Sequence, residues 1–257
     1  MTGFFIKKAF FDGWDNLIGL VIMNVVYLLL FFLGIYSFSL AEYGMVPFFA
    51  AILGLLFVIA VFSGAVNNAT YGYSQYKSST WQDLKAGFGR NLRHSLLMFV
   101  IYVFFFLVLT FIIPFYLNAF GVAGTVISIL LIWLTIFSVL ALPYYFALSS
   151  YLPGDRPLKT LKKCFIVAAD NMLFSVFFLI YNVVCIALTV MTMGLVPGVA
   201  GMSLAGQDAV KLLMLKYDYI EDNPDCDRKH LPWADILFDE EEKIGPRSFK
   251  NMIFPWK

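Results

Sequence analysis

Residues 95–154 read SLLMFVIYVFFFLVLTFIIPFYLNAFGVAGTVISILLIWLTIFSVLALPYYFALSSYLPG. These sixty residues contain no Asp, Glu, Lys or Arg. A membrane-spanning helix needs about 20 consecutive apolar residues, so the stretch predicts two helices, separated near Asn118–Gly121. Backbone groups in hydrocarbon must pair within their own segment, and helices meet that requirement. The stretch therefore predicts an all-α membrane protein.

Three further uncharged stretches, residues 17–41, 43–76 and 171–207, extend this pattern. A composition of 61% hydrophobic and 14% charged residues is typical of a polytopic membrane protein. We predict about six spanning helices in three hairpins, at about 17–40, 46–72, 95–117, 122–150, 171–193 and 197–216. The last is the least apolar, because Gln207, Asp208 and Lys211 interrupt it. At a spacing of i, i+3, Asp208 and Lys211 are expected to form a local surface pair.

The placement of Lys and Arg predicts the orientation of the chain. Cations precede helix one, lie between helices two and three and between helices four and five, and recur after Lys211. The connections near Glu42, Asn118 and Gly194 contain none. Because short cytoplasmic loops are rich in Lys and Arg, both termini are expected in the cytosol.

A short pattern recurs before helices one, three and five. Each copy has a cation, an aromatic residue three positions later, and an asparagine where the apolar helix begins: Lys8, Phe11 and Asn16; Lys85, Phe88 and Asn91; Lys162, Phe165 and Asn171. The pattern suggests three helical hairpins in the same orientation. The alternative is chance combined with the common needs of any helix that starts on the cytosolic side.

The segments before helices three and five are predicted to be cytosolic amphipathic helices. In residues 80–93 the apolar side chains recur at helical spacing and the cations take other faces, and a second such segment begins at Pro157. Such helices rest in the headgroup layer or dock against a partner. On the second interpretation, the docking residues are Trp81, Leu84, Lys85, Phe88, Leu161, Lys162 and Phe165.

Residues 217–257 differ from the rest of the chain. They contain ten acids and six bases, so we divide the protein into a helical membrane domain, 1–216, and a cytosolic tail, 217–257. Exposed aromatic residues on a polar tail are costly unless something covers them. Phe254 and Trp256 are therefore expected to dock on the helices or on a partner, the alternative being a disordered end.

The predicted membrane helices one to five contain no ionisable residue between their ends. Asn24, Asn67 and Asn182 are expected to form hydrogen bonds between helices, or to line a central path. The chain has no GxSxG, HExxH, P-loop or dinucleotide fingerprint, and Cys226 with His230 does not complete a zinc site. We therefore expect no enzyme, no metal and no cofactor.

Three segments carry a resemblance to a known family: FDGWDNLIGLVIMN from Phe11, TWQDLKAGFGRNL from Thr80, and LKTLKKCF from Leu158 with Asp170-Asn171. Together they resemble the YesL-like family of bacterial integral membrane proteins, over roughly residues 1–215. The resemblance implies a multi-pass protein of the bacterial cytoplasmic membrane. It also implies an accessory or assembly role beside a carbohydrate ABC transporter permease, without catalysis. The competing class is a small-solute transporter or channel built around Asn24, Asn67 and Asn182.

Overall fold

The computed structural model describes residues 1–77, 80–228 and 231–247. Within them every regular element is helical, as the apolar runs predict. The α-helices are α1 (Thr2–Asp15), α2 (Leu17–Ser39), α3 (Met45–Ser74), α4 (Thr80–Arg90), α5 (Leu92–Leu107), α6 (Ile113–Ala119), α7 (Gly121–Ala141), α8 (Tyr145–Tyr151), α9 (Pro157–Asp170), α10 (Met172–Met191), α11 (Gly198–Asp222), α12 (Trp233–Ile236) and α13 (Phe238–Ile244).

Five helical segments of the described chain are long and apolar enough to cross a membrane: Leu17–Tyr43, Met45–Ser74, Leu92–Ala119, Gly121–Tyr151 and Met172–Met191. The all-α polytopic fold is therefore confirmed, and the first five predicted helices correspond to these spans. The connections after the second and fourth spans carry the cations near Lys77 and Arg156. We call this side of the bundle the basic side.

The sixth predicted span is a helix, α11, but it is not among the five candidate spans. The count of six therefore differs from the structure. Its residues Leu204–Leu213 are all buried, which makes α11 the central helix of the bundle. In the turn that precedes α11, Leu195 contacts Asn24 and Gly194 lies against Leu28. The helix α11 therefore begins beside the first half of α2 and not beside its C-terminal end.

Two of the spans are interrupted at proline. A π-helical turn, Val108–Ile112, joins α5 to α6 just before Pro114, and a 3-10 turn, Leu142–Tyr144, joins α7 to α8 at Pro143. Proline lacks a backbone N–H and disrupts the regular helical ladder. The interruptions change the helix type without ending the span.

The repeated asparagines lie at equivalent junctions. Asn16 separates α1 from α2, Asn91 separates α4 from α5, and Asn171 separates α9 from α10. Each side-chain amide donates to a backbone carbonyl: Asp12 O at 2.9 Å, Gly64 O at 2.7 Å and Val167 O at 3.0 Å, respectively. The bonds of Asn16 and Asn171 are local and compete with the helical ladder, whereas the bond of Asn91 reaches α3 and fixes that junction against it. The first of these short helices, α1, was not predicted.

Each short helix packs against a helix that ends on the basic side. The pairs are α4 with α3, α9 with α8, and α1 with α11. The structure thus contains three units, each made of a short helix, an asparagine, an outgoing helix and a returning helix. In the third unit α11 takes the place of the returning span.

The segment after residue 216 is joined to the bundle. α11 continues across the proposed boundary to Asp222, and α13 places Ile244 in the same hydrophobic core as α1 and α11. Leu237, just before α13, is buried there as well. The tail therefore folds back through Leu237 and α13. Phe254 and Trp256, which we expected to do so, lie outside the described residues.

Candidate functional site

A cluster of charged side chains is buried where α1, α11 and α13 meet. Lys8 is 0% exposed, and its Nζ lies 2.7 Å from Asp12 Oδ2, 3.6 Å from Asp208 Oδ1 and 3.4 Å from Glu240 Oε2. Asp208 is fully buried. The expectation of a local surface pair on α11 is therefore wrong, because helices from both ends of the chain cover that part of α11.

Lys211 completes the cluster one turn further along α11. Its Nζ lies 2.9 Å from Glu240 Oε2 and donates to the Ser74 carbonyl at 2.8 Å. The Tyr76 hydroxyl accepts from Lys8 Nζ at 3.0 Å and donates to Glu240 at 2.9 Å. Both ammonium groups lie within 5 Å of the Tyr76 ring centre, a favourable contact for a cation. We call Lys8, Asp12, Tyr76, Asp208, Lys211 and Glu240 the ion cluster.

Within the ion cluster, the carboxyl group of Asp208 is the one whose protonated form burial favours most strongly. Neither of its carboxylate oxygens has a hydrogen-bond partner among the described residues. Burial raises the pKa of Asp208 well above its usual value, and the nearby Asp12 carboxylate raises it further, against the effect of Lys8. A proton on Asp208 leaves two ammonium groups against two carboxylates, so the buried set is neutral.

Glu240 is the carboxyl group of the ion cluster whose pKa is lowered, so it remains ionised. Burial alone would raise its pKa, but the hydrogen bonds from Lys211 and Lys243 outweigh burial and lower the pKa to about 2. The Lys243 Nζ lies 2.9 Å from Glu240 Oε1 at the rim of the cluster. Glu240 thus fastens α13 to α11 through a charge that persists at neutral pH.

The protonated Asp208 gives the folded state a defined pH dependence. The pKa of Asp208 is raised in the folded state. Its contribution to the free energy of unfolding is therefore fully present below the unfolded pKa of about 4 and is lost as the pH rises toward the folded pKa. The asparagine side chain of the Asp208→Asn variant cannot ionise. We expect the melting temperature of the natural protein, relative to that of Asp208→Asn, to fall as the pH rises from about 4 toward the raised folded pKa of Asp208.

The titratable groups that interact with Asp208 are Lys8, Asp12, Lys211, Tyr151 and Tyr181. Glu240 and Tyr76 contact the same two lysines. All of these groups are common to both proteins, so the difference between the two melting curves isolates Asp208. A difference that stays constant across the range would show that Asp208 is not protonated in the folded protein.

A second polar contact joins the three units beside the ion cluster. Asn67 of α3 donates to Ser150 Oγ of α8 at 2.8 Å, and Gln207 of α11 donates to the Asn67 carbonyl at 3.2 Å and also to Asn67 Oδ1. All three side chains are buried. One returning helix of each unit therefore contributes one residue to a shared centre.

A cavity of about 400 Å³, open on one side, adjoins this centre between the helices of the bundle. Helices from all three units form its wall. Its polar lining consists of Tyr27, Ser63, Asn67, Tyr102, Asn182 and Ser203. Two of the three intramembrane asparagines predicted from the sequence thus lie on one cavity.

Asn24, the third of these asparagines, has a different environment. Its amide donates to Leu195 O at 2.8 Å and Pro197 O at 2.7 Å, and its oxygen accepts from Ala200 N at 2.9 Å. These bonds hold the turn that leads into α11. Asn24 is therefore a structural residue of that turn and does not line the cavity.

The predicted docking residues of α4 differ in exposure. Trp81 is 65% and Phe88 is 41% exposed, and Lys85 is exposed beside them. Leu84 packs instead against the core around α2 and α3. Trp81, Lys85 and Phe88 are therefore the predicted residues that lie exposed on α4, and we call these three the exposed face of α4.

The predicted docking residues of α9 face mainly inward. Leu161 and Phe165 pack against the core, and the Phe165 ring stacks on Phe137 with centroids 5.9 Å apart. Lys162 is exposed. Only the lysine of this set is thus free to contact a partner.

The described residues contain no group of three His, Cys, Asp or Glu side chains that could hold a metal ion. Cys164, Cys185 and Cys226 are free thiols. No protein-family model, no curated protein and no solved structure matches this chain.

Proposed function

We propose that this chain is a non-catalytic membrane protein that supports the assembly of a larger membrane complex. The partner class is a transporter, with a carbohydrate ABC permease as the specific candidate, which follows from the resemblance of three segments of the chain. The cytoplasmic membrane of a bacterium, with both termini in the cytosol, is part of the same proposal.

The observation that carries the proposal is the way α4 is held. Asn68 donates to the Asp83 carbonyl at 2.7 Å, and the Tyr73 hydroxyl lies 2.6 Å from Thr80 Oγ1. Gly87 lies so close to α3 that an added Cβ would come within 2.8 Å of Ala65 Cα. The helix is fixed along one side, and its aromatic, basic face is exposed on the other.

A fixed exposed face of this kind suits protein recognition. Tryptophan and other large aromatic side chains contribute most strongly to binding at protein interfaces. A rigid helix loses little conformational entropy when a partner covers it. We therefore assign the partner contact to the exposed face of α4, with Lys162 of α9 as a further cation on the basic side.

The double variant Trp81→Ala/Phe88→Ala tests this assignment. We expect it to lose about 2 kcal/mol or more of binding free energy, so that the partner is no longer recovered when the protein is purified in mild detergent. The matched control is Trp133→Ala, because Trp133 is also 65% exposed but lies on a spanning helix. Equal recovery of a stoichiometric partner with both variants would contradict the proposal.

The cavity favours a second candidate, a small-solute transporter or channel. Asn67 and Asn182 line the cavity, and ligand sites in helical bundles commonly lie between helices. Vesicles that contain this chain alone separate the candidates. Solute flux in such vesicles would support the second candidate, and a partner lost with Trp81→Ala/Phe88→Ala would support the first.

A further inference from the structure

The chemistry of the cavity wall restricts what the cavity can bind. Among the described residues that line it, none is charged. The polar groups are hydroxyls and amides, and the rest of the wall is formed by aliphatic side chains, Met98, Met202, Pro143 and Phe146. An ion would lose its hydration without gaining a counter-charge. A sugar would place most of its hydroxyls against hydrocarbon, where they could form no hydrogen bonds.

The mouth of the cavity faces the bilayer. Val139 of α7, Val183 and Ile186 of α10, and Val199 of α11 line the cavity and are each between 41% and 56% exposed. α7 and α10 belong to membrane-spanning segments. Because this rim is apolar and lies between two spans, a molecule can enter from the lipid without crossing a polar barrier.

The polar groups of the wall differ in their remaining hydrogen-bonding capacity. The Tyr27 hydroxyl lies 2.9 Å from Ser63 Oγ, and the Tyr102 hydroxyl also interacts with Ser63, so these three groups bond mainly to one another. The Asn182 amide donates to the Phe178 carbonyl at 2.9 Å, and within the described part of the chain its Oδ1 has no hydrogen-bond partner. Asn182 thus offers one carbonyl acceptor and one N–H donor to a molecule in the cavity.

We infer that this cavity binds a single-chain, uncharged amphiphile taken from the bilayer, with a hydroxyl or a similar small head hydrogen-bonded to Asn182. Its volume of about 400 Å³ admits a chain of roughly a dozen to sixteen heavy atoms, since an apolar cavity of about 150 Å³ holds benzene. A whole diacyl lipid is too large for this space. The inference is independent of the proposed partner contact, since α4 does not line the cavity.

The test uses the full-length protein in phosphatidylcholine nanodiscs and a diazirine-bearing dodecanol as the probe. After photolysis, the labelled peptides are mapped by mass spectrometry. We expect saturable labelling of segments 139–147 and 179–186, and unlabelled dodecanol should compete with it. Dodecanoate at alkaline pH and dodecane should compete less well, because the first is charged and the second has no head.

Asn182→Leu provides the matched variant, because it keeps the side chain's approximate volume and removes its hydrogen-bonding groups. We expect competition by dodecanol to weaken by about fivefold to tenfold, the effect of one lost hydrogen bond. Competition by dodecane should not change. Comparison of the two competitors within the same variant separates a lost contact from a general loss of fold.

Three results would overturn the inference. One is labelling that cannot be saturated or that falls equally on lipid-facing residues such as Leu130, which is 64% exposed. Another is equal competition by dodecanol and dodecanoate. The third is unchanged competition by dodecanol in Asn182→Leu. The first and second results need only the natural protein, so the inference stays testable even if the variant does not fold.

Discussion

Replacement of Lys8 by methionine is expected to destabilise the protein by about 3–5 kcal/mol, the cost of breaking a buried ion pair on one side. Lys8 is 0% exposed and is the cation closest to Asp12. Without it, the Asp12 carboxylate is left buried without its ammonium partner, and the ion cluster becomes negative. The apparent melting temperature in detergent, followed by tryptophan fluorescence, measures the loss.

Two controls make this prediction specific. Lys159→Met removes a lysine whose side chain is 62% exposed and pairs with Asp155 at 2.6 Å, and exposed pairs contribute only about 0–1 kcal/mol. Asp208→Asn near pH 6 should cost no more than about 1 kcal/mol, because a neutral amide replaces a neutral acid. If Asp208→Asn proved as damaging as Lys8→Met, the proposed distribution of charge in the cluster would be wrong.

Replacement of Gly87 by alanine is the second substitution with a large expected effect. The new Cβ would come within 2.8 Å of the Ala65 Cα and O and of the Asn68 Cβ. Two of these are backbone atoms and cannot move aside as a flexible side chain would. Overpacking of this kind costs about 1–3 kcal/mol, and it should separate α4 from α3.

Gly89 provides a control in the same helix. An added Cβ at Gly89 meets nothing within 4 Å, so Gly89→Ala should be neutral or should stabilise α4 by up to about 1 kcal/mol. Melting temperatures of the two variants test the packing of α4 directly. Equal melting temperatures for Gly87→Ala and Gly89→Ala would mean that α4 does not pack on α3 as described.

Much of the fold could be predicted from the sequence because long uncharged runs have few structural solutions in a membrane. The third span, predicted at 95–117, extends over Leu92–Ala119, and the second, predicted at 46–72, extends over Met45–Ser74. The asparagine pattern also corresponds to real junctions, because Asn16, Asn91 and Asn171 all separate a short helix from an apolar one. Hydropathy and the i, i−4 bonds of Asn16 and Asn171 depend on residues close in sequence, whereas the bond of Asn91 to Gly64 is a tertiary contact.

The ion cluster could not be predicted in this way because its members are distant in sequence. Lys8 and Glu240 are separated by more than two hundred residues, and both reach Asp208 or Lys211 only in the folded chain. The spacing of Lys8 and Asp12 and the presence of Asp208 in a largely apolar helix were the available signals. Ionisable residues at such positions usually have a specific partner.

The amphipathic helices α4 and α9 show a related limit of prediction from the sequence. Helical spacing correctly gives α4 and α9 an apolar face, but it does not reveal what covers that face. Trp81 and Phe88 are exposed, whereas Leu161 and Phe165 pack on the bundle. The difference arises because α9 lies against α7 and α8, and that contact is a tertiary one.

The most direct test determines which face of the membrane the basic side of the bundle occupies. Single cysteines at Lys85, Lys162 and Glu42, all exposed positions, are introduced with Cys226→Ser, since Cys164 and Cys185 are buried. An impermeant maleimide applied to intact cells should label position 42 alone, and it should label positions 85 and 162 only after the membrane is opened. Labelling of position 85 or 162 in intact cells would contradict the cytosolic assignment of the basic side, of α4 and of the proposed partner contact.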